Sequence, residues 1–249
     1  EMDKPTQIAI GKNISQNLTY IVNHQEMDRA QVEELIKSYG LVRREEIISI
    51  IKEIIDKIPA EKRINPDKRI FIPAIQQLSY CLDDECLKNT FKSLLSSSMN
   101  LDKQSKVHPS FTTIIAQLSS DEVKLLNSLI FSPNIPYPVL NIRQGIKNCD
   151  DLGIMVVKYF SDVSYGVCEF PDNIGVYLEN LERLELIDIP EKQVLRDESH
   201  YKKLINHPYI QDILNRTKGL EDTIKYDYER KVFLLTRFGL QFLSCCMFG

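Results

Sequence analysis

The chain has 249 residues, of which 43% are hydrophobic and 27% are charged, values typical of a globular protein and too apolar for a disordered one. Nine glycines and eleven prolines exclude collagen-like and low-complexity classes. The formal net charge of −4 gives no overall field that would attract the chain to nucleic acid or to an anionic membrane.

The sequence favours the cytoplasm. No run reaches the roughly eighteen apolar residues of a membrane span, and the amino end lacks the basic and apolar segments of a signal peptide. The cysteines form no C-x-x-C pair, and we expect free, buried thiols in a reducing compartment. These residues are Cys81, Cys86, Cys149, Cys168, Cys245 and Cys246. We therefore expect a cytoplasmic protein without membrane contact.

Residues 28–100 show the apolar periodicity of helices, with a first helix expected over 28–40. The isoleucines between Ile47 and Ile58 form the widest apolar stripe, and Pro59 ends that helix. A stripe of this width is typical either of an intramolecular core or of self-association through the N-terminal helices. The sequence leaves these two alternatives open.

Asp83-Asp84-Glu85 precedes the next helix of this region. Three adjacent acids could resemble a metal site, but acidic residues at this place are typical of a helix amino terminus. We expect Asp83 to cap the helix and the other two acids to complement its dipole. An all-helical domain over residues 1–104 is predicted.

The clearest local signal follows at Ser119-Ser120-Asp121-Glu122. Ser119 and Glu122 have the spacing of a capping box, in which each side chain bonds the backbone N–H of the other residue. Leu118 and Val123 occupy the two ends of a hydrophobic staple. A helix beginning after Ser119 is therefore predicted.

The pattern then changes to a mixture of strands and helices. The predicted elements are a strand over 138–143, a strand over 154–160, a helix over 174–185, a strand over 186–189, a strand over 231–235 and a helix over 238–246. This order predicts a winged-helix-like α+β domain over 105–249 with a small β-sheet. The helix over 174–185 would be its recognition helix, the last two strands its wing, and a helical insertion would occupy about 191–230. Overall we expect a mainly α (α+β) protein.

Charge argues against DNA as the ligand of this domain. Residues 172–188 contain five acidic residues and one basic residue, and residues 191–231 contain nine basic and eight acidic residues. Because phosphate neutralisation supplies most of the affinity for DNA, an acidic recognition helix would be repelled. A protein partner is therefore favoured over nucleic acid.

Several segments, taken in order, resemble the abortive-infection alpha family. They are Phe91–Asn100, Val107–Phe111, Gln117–Glu122, Asn180–Ile187 and Leu235–Phe242. The resemblance covers about residues 65–249. It implies a bacterial cytoplasmic protein associated with phage resistance, without an established catalytic activity. Where the resemblance implies a glycine in a turn, this chain has Glu185, so a tight left-handed link is not expected there.

Five residues are candidates for an interaction or structural motif: His108, Asn180, Arg183, Thr236 and Gly239. We expect His108 to cap or pack on the helix that follows it. Asn180 and Arg183, three apart on one helix face, could bond a partner or hold the wing. For Thr236 and Gly239 we expect a helix cap and a close-packing position.

The sequence contains no nucleophile elbow, Walker loop or dinucleotide fingerprint, and no histidine has a ligand at metal-binding spacing. We expect no catalytic residue, metal or cofactor. The sequence thus predicts a non-enzymatic protein-interaction or sensor module. The alternatives are a winged-helix, nucleic-acid-binding transcription regulator and a hydrolase or nuclease with a site made of scattered acids.

Overall fold

A computed structural model describes residues 43–220 and 223–247, with side chains for all of these but 150–152. The helix predicted over 28–40 lies outside the described residues. The chain divides into two compact units, one containing residues up to Gln117 together with residues from Ser244 onward, and the other Leu118–Leu243. Helices and an antiparallel sheet are both present, so the mixed α+β class is confirmed. The domain boundary at residues 104 and 105 stays a prediction.

The first unit is built from helices. They are α1 (Arg44–Lys57), α2 (Lys68–Leu78), α3 (Glu85–Ser98) and α4 (Ser110–Ile115). Every isoleucine of α1 is at most 8% exposed, and Ile58 is 3% exposed. The stripe is therefore part of a core, and self-association through the N-terminal helices stays a prediction.

Asp84, and not Asp83, is the N-cap of α3. Its carboxylate accepts a hydrogen bond from the Leu87 N–H at 3.0 Å, and its backbone is extended, as an N-cap requires. Asp83 instead forms an ion pair with Arg43. The sequence alone does not tell which of two adjacent aspartates is the N-cap, because backbone geometry decides which side chain faces the free amides.

The second unit combines helices with a sheet. Its elements are α5 (Ser120–Leu129), β1 (Tyr137–Ile146), β2 (Cys149–Phe160), α6 (Ile174–Arg183), β3 (Ile187–Asp188), α7 (Ser199–Ile205), α8 (Pro208–Asn215), β4 (Ile224–Leu235) and the greater part of α9 (Arg237–Cys246). The strands are antiparallel in the order β2-β1-β4-β3. Phe160, Phe233 and Leu204 are at most 1% exposed in its core.

The strands of the sheet extend beyond their predicted bounds. Gly145 and Gly153 pair with each other inside the β1–β2 hairpin, so neither glycine ends a strand. β4 begins at Ile224, well before residue 231, because its first half pairs with β1. The side chains of this first half are largely exposed. Exposed paired strands lack the apolar alternation that sequence patterns detect.

The winged-helix arrangement is not confirmed. The predicted wing pairing exists, since Ile187 pairs with Leu235. However, the long central pair of the sheet is β1 with β4, and it runs along the whole of β1. The predicted helical insertion contains α7 and α8, and Tyr201 of α7 is 1% exposed and donates to the Lys231 carbonyl at 2.9 Å, so α7 packs on the sheet.

The link after α6 is left-handed, against the expectation from its sequence. Glu185 has φ of 60°. The Leu186 N–H donates to the Leu181 carbonyl at 3.0 Å and the Glu185 N–H to the Glu182 carbonyl at 2.9 Å, which together form a Schellman motif. The two hydrogen bonds hold Glu185 in a conformation that usually requires glycine.

Within the described residues, no helix combines the length and the apolar character needed to cross a membrane. The six cysteines are free thiols, and Cys245 and Cys246 are buried.

Candidate functional site

Two predicted features, the capping box and the Asn180–Arg183 pair, form one hydrogen-bond network. Both capping-box bonds are present, with the Ser119 N–H donating to Glu122 Oε2 at 2.6 Å. The other oxygen of Glu122 accepts from Asn180 Nδ2 at 2.7 Å, and Asn180 Oδ1 accepts from Arg183 Nη2 at 2.6 Å. The carboxylate that caps α5 therefore also holds α6, and Arg183 extends the network to an exposed position.

Asp121, adjacent to Glu122, is buried and ionised. It is 5% exposed. Its two oxygens accept from the backbone N–H groups of Glu169 at 2.9 Å and Phe170 at 2.8 Å, and Lys124 lies 2.9 Å away. Burial by itself would raise the pKa of Asp121, but these hydrogen bonds and that of Tyr177 hold it well below its usual range. Asp121 thus fixes the segment before α6.

Two further groups contact Asp121. The Tyr177 hydroxyl donates to Asp121 Oδ2 at 3.0 Å, and burial together with this carboxylate raises the Tyr177 pKa to about 12. The Cys168 thiol lies 3.5 Å from the Asp121 carbonyl, and burial followed by the Asp121 charge raises its pKa to about 11. Both groups stay protonated at neutral pH, so neither is an activated nucleophile or base.

The segment fixed by Asp121 presents an apolar surface to solvent. Phe170 is 60% exposed and Val176, in the first turn of α6, is 65% exposed. Asp172 and Glu179 are exposed as well. We name Phe170, Asp172, Val176 and Glu179 the α6 surface. It contains two exposed apolar residues and two exposed acidic residues.

The α6 surface borders a groove of about 230 Å³ against β2. Lys158 of β2 forms an ion pair with Glu179 at 2.6 Å. A Cβ on Gly175 would lie 2.5 Å from the Lys158 carbonyl oxygen, so the close approach of α6 to β2 requires glycine. The geometry of the α6 surface is thus fixed by packing on β2 as well as by Asp121.

Thr236 and Gly239 act together on the link after α6. Thr236 Oγ1 accepts from the Gly239 N–H at 2.8 Å and donates to the Glu185 carbonyl at 2.6 Å. A Cβ on Gly239 would lie 2.0 Å from the Leu186 carbonyl oxygen. These residues cap α9 and allow its first turn to contact the backbone beside β3.

His108 contacts its own helix. Its Nδ1 accepts from the Ser110 N–H at 3.2 Å, at the start of α4. His207 repeats this arrangement before α8, where its Nδ1 accepts from the Tyr209 N–H at 3.3 Å. In both cases the histidine precedes a proline that begins the turn. His108 therefore lies in a capping turn.

The sequence pattern does not identify Asp121 or Phe170 as site residues. The sequence places Asp121 within a capping box, and this local pattern gives no information about its long-range contacts. Phe170 carried no periodic signal, because it lies in a loop. In the part of the chain that the structure describes, no group of three or more His, Cys, Asp or Glu side chains could hold a metal ion.

Comparisons with known proteins place the chain in a family. No curated protein matches the chain. A solved structure, described as the uncharacterized protein from the hydrocarbon-degrading marine bacterium Alcanivorax borkumensis SK2, is similar at 14% identity and a TM-score of 0.38, over 59% of this chain and 96% of that one. The family model "Abortive infection alpha" matches residues 41–246, beginning upstream of the stretch in which the resemblance was predicted. Because this match covers most of the chain, the protein belongs to the abortive infection alpha family.

Proposed function

We propose that this protein is a cytoplasmic, non-enzymatic interaction or sensor module of a bacterial abortive-infection response to phage, and that it contacts a protein partner through the α6 surface. Membership of the abortive infection alpha family supports the biological setting. The structural support comes from the α6 surface and from the network that holds it.

One observation carries the proposal: a solvent-exposed phenylalanine on a rigidly held backbone. Phe170 is 60% exposed, yet its N–H is bonded at 2.8 Å to Asp121, a carboxylate that is itself buried. Because the backbone at Phe170 is already held, binding there costs little further backbone entropy. Exposed aromatic residues of this kind are typical anchors of protein interfaces.

The charges around the α6 surface favour a polypeptide over nucleic acid. Glu179 is already paired with Lys158, so Asp172 is the acidic residue of the α6 surface that suits a partner with an apolar side chain and a nearby basic group. Many basic residues of this unit already lie in ion pairs, as shown by Lys158 with Glu179, Lys203 with Asp162, Arg216 with Asp212, Arg230 with Glu198 and Lys231 with Glu229. Such pairs reduce the positive charge available for phosphates.

The non-enzymatic part of the proposal rests on the chemistry of the buried groups. The Cys168 thiol, with its pKa raised to about 11 by burial, is protonated at neutral pH. Asp121 accepts hydrogen bonds from two backbone amides, a lysine and a tyrosine, so its oxygens are occupied by the fold. These groups therefore hold the structure and do not offer a free base or nucleophile.

The experiment is affinity capture from phage-challenged cells with three forms of the protein. The wild type is compared with the double variant Phe170→Ala, Val176→Ala and with Phe131→Ala, which removes a phenylalanine of the same unit that is 89% exposed. We expect a stoichiometric protein with the wild type and with Phe131→Ala, and at least about tenfold less of it with the double variant. Protection against phage should be lost with the double variant as well.

Recovery of the same proteins with all three forms, together with undiminished protection, would overturn the proposal. The winged-helix alternative predicts a different outcome. In that case nucleic acid should be retained by the purified protein, and its affinity should fall steeply as salt rises. Metal-dependent turnover abolished by a single aspartate or glutamate change would favour an enzyme instead.

A further inference from the structure

Most residues of the family-like segment Phe91–Asn100 serve the fold of the first unit. Phe91, Leu94, Leu95 and Met99 are buried in its core. Ser97 donates to the Cys245 carbonyl at 2.8 Å, and Ser98 donates to the Leu95 carbonyl at 2.7 Å. The Asn100 side chain accepts from the Asp102 N–H at 2.9 Å. Three residues of the segment remain: Lys92, Ser93 and Ser96.

These three residues line one groove. The groove between α1 and α3 has a volume of about 280 Å³, and its lining is Ile54, Lys57, Asn89, Lys92, Ser93, Ser96 and Met247. We name it the α1–α3 groove. In the part of the chain that the structure describes, the side chains of Asn89, Ser93 and Ser96 make no hydrogen bond to protein. They are spaced at i, i+4 and i+7, so they face the groove from one side of α3.

The two lysines of the groove already hold one carboxylate between them. Lys57 Nζ lies 2.8 Å from Glu53 Oε1, and Lys92 Nζ lies 3.0 Å from Glu53 Oε2. One oxyanion can therefore reach both ammonium groups. Each ammonium has three N–H donors, and Glu53 accepts from one of each, so donors remain for a second anion. The lysines and Glu53 together leave a net charge of +1.

We propose that the α1–α3 groove binds a small organic phosphate. Its phosphate oxygens accept hydrogen bonds from Lys92, Ser93 and Ser96, which together offer both charge and hydroxyl donors. Its less polar part lies against Ile54, which is 3% exposed, and Met247. A volume of about 280 Å³ suits a ligand no larger than a nucleoside monophosphate. This inference concerns the first unit and is independent of the proposed function.

The test is calorimetric titration of the full chain with adenosine monophosphate, with glucose 6-phosphate and with inorganic phosphate. We expect one of the two organic phosphates to bind at least about fivefold more tightly than inorganic phosphate, because only an organic ligand contacts the apolar lining. Lys92→Met should weaken that binding about tenfold, and Ser93→Ala about threefold. Glu53→Gln should strengthen it, since the competing carboxylate is removed.

The matched control is Lys88→Met. Lys88 also lies on α3 and forms an ion pair, with Glu85, but it does not line the groove. Its variant should bind like the wild type, and thermal unfolding should show that all variants are folded. The proposal is overturned if none of the three probes binds at millimolar concentration, if inorganic phosphate binds as tightly as the organic probes, or if Lys92→Met leaves the affinity unchanged.

Discussion

Asp121 is the residue on which the segment before α6 depends. The residue is 5% exposed, and its carboxylate accepts backbone hydrogen bonds from residues 48 and 49 positions further along the chain. From the sequence it is simply one acid among those expected in a first helical turn. Its long-range role depends on the tertiary fold, which brings the backbone of Glu169 and Phe170 to the start of α5.

Asp121→Asn tests that role through pH. We expect a loss of about 3 kcal/mol of unfolding free energy near pH 7, because the amide removes the charge and an acceptor from a buried network. The folded-state pKa of Asp121 is lowered below its unfolded value of about 4. The stability that the ionised carboxylate gives the wild type should therefore be fully present above about pH 4. It should be lost as pH falls through the folded-state pKa.

The measurement is chemical denaturation of both proteins between pH 7 and pH 2. The difference between their free energies of unfolding should shrink below about pH 4. A difference that stays constant over the whole range would show that the carboxylate charge does not stabilise this segment.

Gly239 is the second residue whose identity the tertiary structure requires. Gly239→Ala should lower the free energy of unfolding by about 3 kcal/mol, because the added Cβ would lie 2.0 Å from the Leu186 carbonyl oxygen. Arg237→Ala, at an exposed position of the same helix, should change it by less than about 0.5 kcal/mol. Equal stability of the two variants would contradict the close contact.

At the scale of elements, local signals fix the ends of helices better than the ends of strands. The capping box at Ser119 and Glu122 is a contact between near neighbours, and the predicted helix start is present. The strands around Gly145 and Gly153 were predicted too short, because a cross-strand partner and not the local pattern determines whether a residue is paired.

Glu185 gives a prediction for the end of α6. Glu185→Gly should raise the free energy of unfolding by about 1 kcal/mol, since φ of 60° strains every residue but glycine while the exposed glutamate side chain adds little. Glu182→Gly, inside the helix, should instead lower it by about 1 kcal/mol. Thermal and urea unfolding of both variants provides the measurement, and destabilisation by Glu185→Gly would refute the prediction.

At the scale of the whole molecule, the first unit contains residues from both ends of the described chain. Ser244 and the residues after it belong with residues up to Gln117. Cys246 is fully buried, and the Cys245 carbonyl accepts from Ser97 Oγ at 2.8 Å. The sequence predicts the closing helix but contains no local signal for the core that its last turn completes.

A chain shortened to end at Leu243 tests this arrangement. It should lose at least about 2 kcal/mol of unfolding free energy, because the Ser97 hydroxyl and the core around Cys246 lose their partners. Hydrogen exchange should become faster at the amides of α3. Unchanged hydrogen exchange at the α3 amides after this truncation would contradict the assignment.

The sequence by itself determined the features that depend on near neighbours: the amphipathic helices, the capping box at Ser119, the acidic character of α6 and the family-like segments. The tertiary structure alone decided the order of the sheet, the contacts of Asp121, the exposure of Phe170 and the residues that line the α1–α3 groove. The physical reason is the range of the interactions. Helix periodicity and capping act within a few residues, whereas strand pairing and buried hydrogen bonds join residues whose separation along the chain leaves no local pattern.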